Sequence, residues 1–213
     1  MSRLTAFTSA SFATVLLAGL LTVLGAAPAR AEPPGIPDPA TAAAQLNALV
    51  VAEETHQDSY NRTLFPHWIT ISGTCNTRET VLRRDGSAVV VNAFCAATSG
   101  TWYSPYDGAT WMAASDIDID HMVPLYEAWR SGAWAWTTAQ RRAFANDLAT
   151  PQLWAVTDNV NQGKSDQDPS TWQPPLAGFG CTYASAWIAV KHAYALTLQA
   201  AERDALTEML ATC

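Results

Sequence analysis

Two short blocks of this 213-residue chain carry side chains able to do chemistry. The first reads Asp116-Ile117-Asp118-Ile119-Asp120-His121-Met122-Val123-Pro124-Leu125. The second reads Leu153-Trp154-Ala155-Val156-Thr157-Asp158-Asn159-Val160-Asn161-Gln162-Gly163-Lys164-Ser165-Asp166, and places Asn161 41 positions after Asp120. A histidine beside a carboxylate, with a distant asparagine, is the set that one-metal hydrolysis of a phosphodiester needs. The imidazole can take a proton from water, and the hard oxygens can hold a divalent cation against a phosphate. A lone Asp-His is more often a surface pair or a capped core histidine; only the two blocks together point to catalysis.

These residues need elements to carry them. Residues 116–123 alternate acid with apolar and read as a strand. Asp116, Asp118 and Asp120 share a polar face, and His121 shares the other with Ile117 and Ile119 unless the strand end re-aims it. Pro124 ends that strand. A short helix over 126–130 follows, then a second from the capping-box pattern Thr137-Thr138-Ala139-Gln140 to about Leu148. Residues 153–156 are apolar and short enough for a returning strand, and the spacing over 187–210 predicts one C-terminal helix. Upstream, a helix is expected over 40–58 with Leu46, Leu49 and Val50 on one face. Tyr60, Phe65 and Trp68 are expected to join the core. Residues 80–82 and 88–94 read as a hairpin about Arg83-Arg84-Asp85-Gly86.

Residues 1–31 have the anatomy of a secretory signal peptide: Arg3, an apolar run from Phe12 to Leu24, and Ala29-Arg30-Ala31 before Glu32. Residues 32–39 then form a Pro-rich leader, expected to be extended or mobile, and 40–213 a single domain. No other stretch is long and apolar enough to span a bilayer. Removing Arg3 and Arg30 leaves ten basic against 19 acidic residues, a net charge of −9. That is acidic for a protein that grips nucleic acid, and it calls for base gathered locally. Arg83, Arg84, Arg141 and Arg142 are read as solvated, and most of the nine tryptophans, including Trp129, Trp154 and Trp187, as core. Cys75, Cys95, Cys181 and Cys213 form no C-x-x-C pair. In an exported chain they read as disulfides rather than zinc ligands. Of three connectivities, Cys75–Cys95 with Cys181–Cys213 is expected, because each pair brackets one continuous unit.

Asp120-His121 with Asn161-x-x-Lys164-Ser165-Asp166 resembles the motif of HNH endonucleases, most closely secreted actinobacterial-type members. The resemblance extends to Cys75, Arg78, Val81 and Leu82, to Gly100, Trp102, Pro105, Tyr106 and Gly108, and covers roughly residues 60–213. It implies an α+β fold with a ββα-metal core, flanking helices and a disulfide-stapled hairpin. It implies His121 as general base, Asp120 and Asn161 as ligands of one Mg²⁺ or Mn²⁺ ion, and products ending in 5′-phosphate and 3′-hydroxyl. The middle asparagine of the motif has no clean match; Gln152 and Asn159 are candidates. Asp118 is either a supporting carboxylate or a solvated one, and Lys164 is a candidate phosphate contact. The implied substrate is nucleic acid, DNA before RNA, cut with low sequence specificity by a monomer. No cognate inhibitor is specified. The rival functions are a non-catalytic nucleic-acid-binding protein on the same scaffold and a different metal-dependent phosphoesterase.

Overall fold

The computed structural model describes Met1 and residues 32–213, so the expected signal peptide lies, Met1 apart, outside the described residues. Helix α1 (Pro39–Ala48) starts where Asp38 Oδ1 accepts the N–H groups of Ala40 and Thr41, each at 3.0 Å, with proline preset at the first helical position. It ends ten residues short of the expected span, and Val50, expected on its buried face, is exposed. The segment ahead of it is anchored: Pro33 is buried and Ile36 packs on the core.

Strands β1 (Thr70–Ser72) and β2 (Cys75–Asn76) pair antiparallel. Residues 80–85, expected as strand and turn, lie instead in helix α2 (Thr77–Asp85). The cause is local: Asn76 Oδ1 accepts Glu79 N–H at 3.0 Å while Glu79 Oε2 accepts Asn76 N–H at 2.8 Å, a complete capping box. Gly86 opens β3 (Gly86–Val91), where a Cβ would meet Trp102 Nε1 at 2.5 Å. Strand β3 pairs with β4 (Ala97–Tyr103), which pairs with the short β5 (Thr110–Trp111). The hairpin thus runs through 86–103, with Cys95 at its tip. The Cys75–Cys95 disulfide staples that tip to β2.

Strand β6 (Ile117–His121) pairs antiparallel with β7 (Leu153–Thr157), in unbroken register from Ile117↔Thr157 to His121↔Leu153. Between them lie α3 (Leu125–Arg130) and α4 (Thr138–Ala145), the latter started by the expected capping box of Thr137 and Gln140. Strand β7 runs directly into α5 (Asp158–Lys164), which packs on both strands. The chain closes with α6 (Gly180–Ala193) and α7 (Ala200–Leu210), tied by Cys181–Cys213.

The single helix expected over 187–210 is broken because its middle is used elsewhere. Leu198 N–H donates to Val50 O at 2.9 Å and its carbonyl accepts Ala52 N–H at 2.8 Å, while Thr197 N–H donates to Ser131 O at 3.0 Å. Beneath this break lies a sealed ionic knot. Lys191 Nζ, fully buried, lies 2.5 Å from Glu127 Oε1 and 2.7 Å from Glu202 Oε1, and donates to Thr197 O at 2.9 Å. Arg130 adds ion pairs at 2.6 Å to both Glu127 and Glu54. Glu54, Glu127 and Asp168 are close enough to share a cation, but Arg130 already pairs with both glutamates and Lys191 with Glu127.

The architecture is a mixed α+β fold whose β6–β7 ribbon is buried on both faces. Ile117, Ile119, Leu153 and Ala155 pack against Val81 and Leu82 of α2 and Trp102 of β4. Trp154 and Val156 face the larger core of α1, α3, α4, α6 and α7. Among the described residues, no helix is long and apolar enough to cross a membrane.

Candidate functional site

Helix α2 fixes the ribbon from its edges. Arg78 Nη2 donates to Ile117 O at 2.9 Å on β6, and Arg84 Nη2 donates to Leu153 O at 2.5 Å on β7. Asp85 Oδ2 accepts Ala155 N–H at 3.1 Å. A two-stranded ribbon would otherwise leave rows of unpaired backbone groups in the interior. The arginines expected to be solvated therefore divide: Arg84 joins the backbone of the site, and Arg141 is buried against the carbonyls of Leu64 and Trp136.

The polar face of β6 does not meet solvent as alternation predicts. Asp116 sits in a preceding 3-10 turn, Asp118 is half-buried and Asp120 is only 6% exposed. Tyr106, on the turn after β4, donates its hydroxyl to Asp120 Oδ2 at 2.5 Å. Lys164, the last residue of α5, places Nζ 2.9 Å from both Asp120 oxygens and 2.9 Å from the His121 carbonyl. Burial is the larger effect on both groups: it leaves the Asp120 carboxyl above and the Lys164 ammonium below their ordinary values, and the contact between the two offsets only part of each shift. Lys164 is fully buried, so the expected phosphate contact is corrected: its donors are spent inside the fold.

His121 lies on the apolar side of the ribbon, as alternation predicts, and the register shows no bulge there. Its Nε2 lies 3.0 Å from the Ala145 carbonyl oxygen at the end of α4, and its ring stacks on Trp68 with centroids 5.5 Å apart. A carbonyl oxygen can only accept, so Nε2 carries the hydrogen and Nδ1 keeps the lone pair. Burial holds the imidazole down to about 3, against the Ala145 carbonyl and with help from Arg62, His67 and Lys164. The ring is therefore neutral at physiological pH, with Nδ1 as its basic atom. Trp68 holds φ at 57°, a left-handed conformation that a bulky side chain adopts only where its surroundings force it.

Asn161, one turn before Lys164 on α5, donates Nδ2 to Asp118 Oδ2 at 3.0 Å. That fixes the amide and leaves Oδ1 as a free acceptor. Asp120, His121 and Asn161 line one cavity of about 370 Å³ together with Arg62, Asp166 and Ser165. The larger cavity, about 520 Å³, lies among Tyr103, Pro105, Leu176 and Phe179 and contains none of these residues. Gln152 and Asn159 part company. Gln152 is buried, and its amide brackets Val123, accepting N–H at 3.1 Å and donating to the carbonyl at 2.9 Å. It thus extends the ladder by a side chain and clamps the end of β6 behind His121. Asn159 is exposed and does not line the cavity.

Three residues meet at the site without having been expected there: Arg62, Trp68, which reads as core, and Tyr106, whose phenol the sequence gives no role. Arg62 sits in a single 3-10 turn (Arg62–Leu64) capped by Asn61, whose Oδ1 accepts Thr63 N–H at 2.9 Å. Arg62 supplies exposed positive charge at the cavity mouth, the local base that an acidic chain needs.

Residues 78–209, more than half of the chain, match the family described as GmrSD restriction endonucleases, C-terminal domain. The chain belongs to that family. Membership in the GmrSD C-terminal domain family points to a nuclease-type function and a nucleic-acid substrate. The chain is also 60% identical over 203 residues to a protein of Arthroderma benhamiae described as "Uncharacterized secreted protein", covering 95% of this chain and 98% of that one. That relative is fungal, so the bacterial part of the expected resemblance is not supported. No solved structure matches. The family match spans β6, β7 and α5, with Tyr106, Asp120, His121, Asn161 and Lys164, whereas Arg62 and Trp68 precede it.

Proposed function

We propose that this chain is an exported endonuclease that hydrolyses phosphodiester bonds of nucleic acid, DNA before RNA, at the cavity between β6 and α5. The observation that carries the reading is the meeting of three groups there: a neutral histidine with its Nδ1 lone pair, a buried carboxylate, and an asparagine with its amide oxygen free. The strand–connection–strand–helix order of β6, β7 and α5 supports a ββα-metal reading of the core. Export is supported by the leader-like sequence of residues 1–31 and by the printed description of the fungal relative.

His121 Nδ1 takes the proton of an attacking water as its oxygen bonds to phosphorus and the bond to the 3′ oxygen breaks. The Ala145 carbonyl holds the ring by Nε2 and Trp68 holds its plane, so the base is oriented before substrate arrives. Arg62 meets the negative charge of the phosphate at the cavity mouth. The donor set fits a hard divalent cation such as Mg²⁺ or Mn²⁺: Asp120 and the Asn161 Oδ1 would hold it, with Asp118 orienting Asn161. Bound there, such a cation supplies Lewis-acid stabilisation of the developing charge on the leaving oxygen.

The test is cleavage of supercoiled plasmid by the disulfide-bonded protein in Mg²⁺, Mn²⁺ or EDTA, beside His121→Ala prepared identically. Metal-dependent nicking that disappears in the variant is expected. Equal nicking by both proteins refutes the role of this cavity. No nicking of DNA or RNA by either leaves the non-catalytic binding scaffold as the better account.

A further inference from the structure

The cavity described above takes its carboxylate from Asp120, yet both oxygens of that carboxylate are already engaged from behind. Tyr106 Oη lies 2.5 Å from Oδ2, and Lys164 Nζ lies 2.9 Å from each oxygen. The three groups come from three separate places in the fold: the turn after β4, the end of β6 and the end of α5. Tyr106 and Lys164 have no exposed surface, so neither can touch a phosphate or bulk water. A buried lysine is costly to desolvate, and a fold could cover this point with an apolar residue at lower cost. A second charge-neutral arrangement, a protonated carboxyl against an apolar wall, would leave nothing to attract a cation. The arrangement present instead keeps a carboxylate aimed at the cavity by two fixed donors.

We infer that Lys164 is a resident counter-ion of Asp120 and Tyr106 its companion positioning residue: together they keep the site assembled without a cation and weaken the cation it takes. This rests on the reading of Asp120 as a cation ligand. The physical reason is that an ammonium held beside the carboxylate repels an incoming dication and occupies lone pairs it would otherwise use. The consequence is a pre-formed site whose metal exchanges readily, and whose fold does not depend on metal. Lys164 is a residue a motif comparison would assign to substrate, and the structure assigns it to the opposite side of the ligand.

The experiment measures Mn²⁺ binding, by the signal of free Mn²⁺ in electron paramagnetic resonance, together with thermal unfolding with and without Mn²⁺. The proteins are the wild type, Tyr106→Phe, Lys164→Met and Asn161→Ala, all as the disulfide-bonded chain. Lys164→Met is expected to bind Mn²⁺ about tenfold tighter or more, and Tyr106→Phe a few-fold tighter, because each removes a competitor at the carboxylate. Lys164→Met should also show a larger rise in melting temperature on adding Mn²⁺ than the wild type does. A lysine that merely fills space would lower the melting temperature equally with and without the ion. Should Lys164→Met fail to fold, Tyr106→Phe decides alone. Unchanged or weaker Mn²⁺ binding in the folded variants, with the wild type binding and Asn161→Ala binding less, overturns the counter-ion role and leaves the cation site standing. No Mn²⁺ binding by the wild type overturns the cation site, and the counter-ion with it.

Discussion

Replacing Lys191 by methionine should be strongly destabilising although it lies away from the cavity. The ammonium is sealed between Glu127 at 2.5 Å and Glu202 at 2.7 Å, with Thr197 O at 2.9 Å and Ser131 Oγ at 3.2 Å. Methionine keeps the unbranched stem and removes the ammonium, leaving Glu202 facing Glu127 with only Arg130 at one end. Removing one partner of a buried pair costs roughly 3–5 kcal/mol. At about 2–4 °C per kcal/mol for a domain of this size, the melting temperature should fall by about 6–20 °C.

The loss should also depend on pH with a definite sign. Burial acts to raise Glu127, but Lys191 and Arg130 together hold it at about 2. Burial raises Glu202 to about 7, against Lys191 and with help from Glu127. The two carboxylates share one cation and titrate as a pair. A folded value below the ordinary 4.5 gives stability that is present above about 4.5 and lost as pH falls toward 2. A folded value raised to about 7 does the reverse, costing stability as pH rises from 4.5 through 7. Without Lys191 both carboxylates move upward, so the deficit of the variant should be larger at pH 8 than at pH 5. Thermal unfolding followed by circular dichroism at those two pH values is the assay. A melting temperature within about 3 °C of wild type, or a deficit equal at both pH values, refutes the account of this knot.

Arg62→Ala should lower kcat/KM for plasmid cleavage by roughly ten- to a thousandfold while the melting temperature stays near that of the wild type, because the guanidinium is exposed at the cavity mouth. His121→Ala should abolish cleavage, and should also cost about 1–3 kcal/mol, because it orphans the Ala145 carbonyl and removes the partner of Trp68; differential scanning calorimetry separates the two effects. Cys181 and Cys213, 32 residues apart, should contribute about 3–4 kcal/mol through the closed loop alone. A Cys181→Ala/Cys213→Ala double variant should therefore unfold at distinctly lower urea. An unchanged urea midpoint would show that the helix α6–α7 pairing holds the terminus without the bridge.

Much of the site's frame was legible in the chain. Alternation over 116–123 and the apolar run at 153–156 mark the two strands that carry Asp120 and His121 and lead into Asn161, because a half-patterned ribbon leaves a period-two trace. The capping box at Thr137 marks α4 for the same local reason. The capping box at Asn76 is just as local, and Asp85-Gly86, a dipeptide that reads as a hairpin turn, here ends the helix it starts. The break after Ala193 leaves no trace in the sequence because apolar spacing continues across it; only the partners of Leu198 and Thr197 reveal that the backbone is committed elsewhere. The same limit hid the roles of Tyr106 and Lys164. Their partner lies 14 and 44 residues away respectively, and nothing in the local pattern distinguishes a buried cation from an exposed one. Arg62 and Trp68 come from a segment of turns with no periodicity to read, so their place at the cavity is a product of tertiary packing.

The way Gln152 clasps Val123 bears on the order in which this molecule can come to exist. The ribbon joins strands separated by two helices, and its zipper begins or ends at the point where a glutamine side chain imitates one more rung. The six residues of α3 and the eight of α4 are too few to hold as isolated helices, so they too depend on the packing that follows when this long loop closes and the non-local rungs lock together. His121 and Asn161 sit on opposite sides of this closure. The two halves of the chemistry therefore meet only in a chain in which that loop has closed.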